Sequence, residues 1–407
     1  MAEQSMNPLQ RELLSLLASS LQNKKYSLPN TVDWEMLYRE SRAQAVALQV
    51  YDAIADPSQV GAALRRYALS TMWNNAQVHK YHAYLHRLMT EHRIASCVMK
   101  GCASAYYYPN PGLRTMGDVD FLVKEEDMSK TAEILQAEGF SVSQTDHVCH
   151  WVFQKDKMHL EMHFVPAGMP NGEPGVLLRR YLTDIFETAA PVDIDGETFQ
   201  KPDDFHHGLI LLMHTYHHMV AEGIGLRHLC DWAVFIQQIP GDRFVQLFQD
   251  KLSACGLWRF TQIISYIAVR YLGVAYQAWM GQPDEPLCDA IMEEILTGGN
   301  FGAKDKNRAD QGMAISNRGK DGFRKPPLLQ LVSSLNLAAV KQFPILKKWT
   351  VLKPFGWIML ACRRCFRVLR GSRKLPDLDN MLGEAANRRK LYQQLHLFEM
   401  EEVTPKQ

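Results

Sequence analysis

No stretch of this chain approaches the roughly 20 consecutive apolar residues that a membrane-spanning helix needs, which sets aside membrane-embedded classes. A strong net charge is also missing. The 45 Lys and Arg against 44 Asp and Glu leave +1, so no overall field draws the protein to nucleic acid and there is no strong nucleic-acid signal. Residues 1–25 lack a continuous apolar core and carry Arg11 and Glu12, unlike a secretory signal. The eight cysteines are scattered and are expected as reduced thiols in a cytoplasmic protein. Cys362 and Cys365 form a lone Cys-x-x-Cys with no second pair at ligand spacing, which argues against zinc or redox chemistry. No internal repeat is present.

What remains is ordinary for a soluble globular protein: 407 residues, 46% apolar and 22% charged, enough for a sizeable core and two or three substructures. The expected fold class is α+β, a small core of strands flanked by helices on both sides. Residues 1–94 form a helical N-terminal region, with Leu13, Leu14, Leu16 and Leu17 at helical spacing. Residues 95–200 form the α+β core. Its strands are expected at Ala95–Met99, Asp118–Val123, Phe140–Ser143, His150–Gln154 and Met158–Val165, with a helix from Asp127 that Gly139 ends. Helices return over 201–300, followed by a Gly-, Asn- and charge-rich mobile loop over 301–325 and a basic, aromatic helical region over 326–407.

The densest chemistry runs from Cys97 to Val123. Asp118 and Asp120 stand at i, i+2 in an otherwise apolar run, and on a strand that spacing puts both on one face. Adjacent carboxylates repel and are costly to desolvate, so a divalent cation is the usual compensation. Oxygen ligands suit Mg²⁺ or Mn²⁺. Glu161, in another strand-like run, supplies a third carboxylate. Lys100 and Arg114 are cations close in sequence, and Gly101 follows a strand and opens a helix, where backbone amides can cradle phosphate oxygens.

Histidines crowd one later helix: His206, His207, His214, His217 and His218. The His214/His218 spacing can ligate zinc, but no Glu lies between them as a zinc protease requires. Packing or a place in the substrate cleft is the better reading. His163 shares a strand face with Glu161 and either orients a ligand or serves structure. Arg227 and Asp231, at i, i+4 on a helix, are spaced so that they can pair.

These residues fall in a recognisable order: Lys100-Gly101, Tyr107-Tyr108-Pro109, Arg114, Asp118-x-Asp120-x-x-Val123, a helix ending in Gly139-Phe140, then Leu160-Glu161-x-His163. The order resembles the uncharacterised nucleotidyltransferase family, within the DNA polymerase β-like nucleotidyltransferase superfamily. The likeness extends to His214/His218, Gly225-Leu226-Arg227 and Asp231-Trp232, over roughly residues 30–360. It implies a nucleoside triphosphate such as ATP as donor, an unidentified acceptor, and Mg²⁺ or Mn²⁺ held by Asp118, Asp120 and Glu161. Lys100, Gly101, Cys102 and Arg114 would border the nucleotide; His163, His214, His218 and Arg227 would border the acceptor. Cys102 stands where Ser or Gly is usual, and the Gly101–Asp118 gap is longer than the superfamily's commonest spacing.

Residues 322–376 contain no acidic residue but twelve Lys and Arg, interleaved with aromatics such as Trp349, Phe355 and Trp357. A solvated helical face, an interfacial membrane helix near Trp349–Arg370, and a polyanion site within 341–374 all fit this pattern. Two alternatives to an enzyme therefore stay open. One is an inactive nucleotide- or partner-binding scaffold; the other is an accessory protein peripheral to a membrane, acting through the basic tail.

Overall fold

A computed structural model of the chain describes residues 6–400 other than 146, 148, 157, 167, 171, 283, 306, 316–331, 333, 334, 337, 341, 344, 345, 347, 348 and 370–377. Its helices begin with α1 (Pro8–Leu21), α2 (Trp34–Ala43), α3 (Ala47–Ala53) and the long α4 (Ala62–Glu91). Asp33 caps α2 as its sequence position suggests, accepting from the amides of Glu35 and Met36. Pro57 opens only a short 3₁₀ turn; α4 starts after Gly61.

A five-stranded sheet follows, built from β1 (Ser96–Val98), β2 (Val119–Val123), β3 (Ser141–Gln144), β4 (His150–Lys155) and β5 (Met158–His163), with α5 (Gly101–Ala105) and α6 (Met128–Ala137) between strands. The spatial order is β1-β2-β5-β4-β3, and every pair is antiparallel except β2 on β5. Alternation divides the sheet. Val119, Phe121, Val123, Leu160 and Met162 join a core with Val78, Leu85 and Leu88 of α4. Asp120, Glu161 and His163 therefore fall on the opposite face.

Next come α7 (Glu173–Tyr181), α8 (Ile185–Thr188) and a hairpin of β6 (Ala190–Ile194) and β7 (Glu197–Lys201). Its turn uses Asp195 (φ 55°) and Gly196 (φ 82°), the Asp-Gly pair that a two-residue hairpin favours. Helices α9 (Asp204–Ala221), α10 (Leu226–Gln238), α11 (Gly241–Ala254), α12 (Trp258–Leu272) and α13 (Glu285–Gly298) complete the body, followed by α14 (Arg308–Ile315), α15 (Lys353–Leu369) and α16 (Leu378–Gln393).

Three boundaries differ from expectation. The N-terminal helices and residues 201–300 share one core, in which Leu13 and Leu17 of α1 join Ile263 and Ile267 of α12; each amphipathic face covers the other. Part of the expected mobile loop 301–325 is helix α14, held because the buried Arg308 pairs with the half-buried Glu294 and Gly312 abuts the Ala221 carbonyl. The C-terminal region also returns to the body. On α16, Arg388 Nε binds Glu294 at 2.7 Å and Tyr392 donates to the Met219 carbonyl at 2.9 Å. Of the basic residues read between 322 and 376, Arg324, Lys325, Lys341, Lys347, Lys348, Arg370, Arg373 and Lys374 lie outside the described residues.

Candidate active site

A cavity of about 410 Å³ opens between the sheet's polar face and helices α9 and α10. The sheet side supplies Lys100, Asp118, Asp120, Glu161 and His163; the helical side supplies His214, His218 and Arg227. The arrangement starts from strand register. On the parallel pair, Asp120 lies opposite Glu161; on the antiparallel pair, His150 lies opposite His163. Register partners share a face, so four polar side chains from three strands meet there.

His163 sits between the carboxylates. Its Nε2 is 3.0 Å from Asp120 Oδ1 and 3.2 Å from Glu161 Oε2. His150 Nδ1 is 3.7 Å from the same Glu161 oxygen, and His147 stacks on His150 with ring centroids 3.9 Å apart. Lys100 Nζ reaches Asp120 Oδ1 at 3.2 Å. Burial works to raise the Asp120 pKa, but Lys100 and His163 outweigh it and hold the group well below the usual carboxylate range. Burial is likewise overcome at Glu161 by the hydrogen bond from His163, leaving that pKa lowered. Asp118, on the loop entering β2, is raised by burial and by the charges of Asp120 and Glu161. Burial pushes the His150 imidazole down to about 4, so it is neutral at neutral pH.

The three expected carboxylates all border the cavity, but they do not form one tight cluster. Among the described residues, the metal-sized group whose ligand atoms all lie within 4.8 Å of one another is His150, Glu161 and His163. Asp118 lies one residue before the strand, and the negative potential of the other two opposes its approach. His147 and His150 are site residues that sequence reasoning missed. The available signal was period-2 alternation in β4, combined with a short hairpin that places His150 across from His163.

The two turns bordering the cavity are built differently. Lys100 (φ 50°) and Gly101 (φ 35°) both adopt positive φ, an uncommon conformation for lysine that concentrates at functional sites. The loop before β2 is held by Asn75 of α4, which donates to the carbonyls of Gly112 and Arg114 and accepts from the Met116 amide.

Of the expected nucleotide contacts, Gly101 and Arg114 border the cavity with Lys100, but Cys102 and Arg114 also have partners within the fold. Cys102 is fully buried, its sulfur 3.7 Å from that of Met116, because its position on α5 faces the sheet core. Arg114 forms a bidentate pair with Asp231, Nε–Oδ1 2.9 Å and Nη2–Oδ2 2.7 Å, and Tyr108 donates to the same carboxylate at 2.8 Å. This displaces the Arg227–Asp231 pair that the spacing allows, since the fork geometry of Arg114 claims Asp231. Arg227 instead donates to the Thr115 carbonyl at 3.4 Å and lies over the Phe301 ring, 5.5 Å from its centroid. Its guanidinium pKa is lowered by burial and by Arg114. His214 packs between His218 and His228, at 4.4 and 5.3 Å, and burial keeps it neutral.

The model of the uncharacterised nucleotidyltransferase family matches residues 30–273, which hold all the charged and histidine groups of this cavity, Phe301 alone lying beyond the match. The chain belongs to that family. The match takes in the N-terminal helices from α2, the sheet and the helical wall of the cavity, so this nucleotidyltransferase-like unit includes both sides of the cleft. Among solved structures, the chain is similar to an antigenic nucleotidyltransferase-like protein from Paracoccidioides brasiliensis, at 14% identity and a TM-score of 0.32, covering 49% of this chain and 94% of that one. No curated protein matches the chain.

Proposed function

We propose that the protein is a metal-dependent nucleotidyltransferase that moves a nucleoside monophosphate from a nucleoside triphosphate to an acceptor hydroxyl. The observation that carries this reading is the register of β2 on β5, which sets Asp120 beside Glu161 on the cleft face. Asp118 at the strand entry and Lys100 complete the constellation.

The donor set fits a divalent cation. Asp118, Asp120 and Glu161 offer carboxylate oxygens, and the Asp118 pKa is raised first by burial and then by the charges of Asp120 and Glu161. His150 and His163 add nitrogen donors. Their distances to Glu161, 3.7 and 3.2 Å, suit ligand bonds of about 2.1 Å, which imply donor separations of roughly 3 to 3.6 Å. Mg²⁺ prefers oxygen alone, so the imidazoles favour Mn²⁺. When bound, such a cation neutralises phosphate charge and eases ionisation of the attacking hydroxyl.

The chain's own residues do the remaining work. Lys100, beside Gly101, meets the phosphates. Arg227 meets a second anionic group, because Arg114 is already neutralised by Asp231. Glu161 accepts the hydroxyl proton, and His163, 3.2 Å from its Oε2, holds that carboxylate in place. The acceptor oxygen forms a bond to the α-phosphorus as the bond to pyrophosphate breaks. His214 and His218 border the acceptor.

The test is thermal stabilisation by each nucleoside triphosphate with Mg²⁺ or Mn²⁺. A ligand at a hundred times its Kd adds about 2.7 kcal/mol to the folded state, a rise of a few degrees. The rise should require metal, disappear in Asp118→Asn/Asp120→Asn, and fall more with Mn²⁺ than with Mg²⁺ in His150→Ala. A rise that survives the double substitution, or none with any nucleotide, refutes the reading.

A further inference from the structure

Among its described side chains, helix α15 turns a row of apolar residues toward solvent. Gly356 marks its inner face, where an added Cβ would come within 2.6 Å of Leu346 and 2.8 Å of Ala339. Trp357 holds the same side by donating to Asn336 at 3.1 Å. The outer face is apolar: Phe355, Ile358, Met359 and Cys362, at i, i+3, i+4 and i+7, are exposed, with Phe355 at 67%. The preceding turn continues the patch with Trp349, Leu352 and Val351, the last 87% exposed. Single exposed apolar residues are normal, but a contiguous stripe marks an interaction surface.

The surrounding sequence says what kind of surface it meets. Residues 341–374 hold ten Lys and Arg and no Asp or Glu. We propose that the outer face of α15, whose own sequence carries Lys353, Arg363, Arg364 and Arg367 and no acidic residue, docks on an anionic phospholipid surface. A helix with an apolar stripe and basic flanks lies in the interface, its side chains among the acyl chains and its cations at the headgroups. At 17 residues α15 lies on the bilayer; among the described residues no helix is long and apolar enough to cross one. Nucleic acid would match the charge but gain nothing from exposed Val351, Ile358 and Met359. A second copy would match the stripe but bring two acid-free basic segments together. An anionic bilayer satisfies both features.

The test uses the full chain in co-sedimentation with phosphatidylcholine vesicles, with and without phosphatidylserine. Binding should appear with phosphatidylserine and weaken with salt. Arg363→Gln/Arg364→Gln should lower partitioning about thirtyfold, from about fivefold per basic residue. Phe355→Ser/Ile358→Ser, at exposed positions that leave the fold intact by circular dichroism, should lower it at least as far. Asp118→Asn/Asp120→Asn should leave it unchanged, which separates this surface from the cleft. Equal binding to both vesicles, no binding to either, or a self-association lost in Phe355→Ser/Ile358→Ser would overturn the proposal.

Discussion

Asp231→Ala tests the assignment of Arg114 to the fold. Arg114 and Asp231 are each about 6% exposed and joined by two hydrogen bonds of 2.9 and 2.7 Å, and Tyr108 donates to the same carboxylate. Removing that carboxylate leaves a buried guanidinium without its counter-charge, which costs about 3–5 kcal/mol. It also orphans the Tyr108 hydroxyl, for about 1 kcal/mol more. Arg227, whose pKa Arg114 lowers and Asp231 raises, would then face an unneutralised cation. Thermal or urea unfolding followed by circular dichroism should show a loss of about 4 kcal/mol or more. Arg114→Met/Asp231→Leu should recover much of it, because a buried pair taken as a whole sits near break-even against apolar replacements. A single variant within about 1 kcal/mol of wild type, or a double variant less stable than the single, would refute the reasoning.

Two other substitutions bear on stability. Cys102→Ser places a hydroxyl in the apolar core beside Met116 and should cost about 1–3 kcal/mol while leaving nucleotide-dependent stabilisation intact; a selective loss of nucleotide binding would return Cys102 to the cleft. At Glu294, burial raises the pKa but Arg388 and Arg308 outweigh it and hold it below 4.5. The group therefore contributes stability above its unfolded pKa, lost as the pH falls through the folded one. Glu294→Gln should lower the melting temperature at neutral pH and flatten its decline below about pH 5; an unchanged acid slope would refute this.

The five strands of the main sheet were legible because short apolar runs alternate and are bounded by turn residues, and the observed ends shift by one or two positions. The β6–β7 hairpin was overlooked although Asp195-Gly196 announces it. Helix α11 was overlooked too, although Phe244, Phe248 and Leu252 repeat at helical spacing. Helix α14 could not be read from its polar composition. Its order comes from Glu294, which lies on α13 and is shared with α16.

The sequence by itself determined the α+β class, the family, and the placing of Asp120, Glu161 and His163 on polar strand faces. Those follow from periodicity and from residue order along a few short segments. Tertiary structure decided which side chains meet: the β2–β5 register set Asp120 beside Glu161, and the β4–β5 register added His150. It also decided charge. Arg114 and Arg227 are equivalent cations in the sequence and both border the cleft, and only the position of α10 gives Arg114 a carboxylate partner. Pairing is a property of distance in space, and residues separated by more than a hundred positions acquire it only when the helices pack.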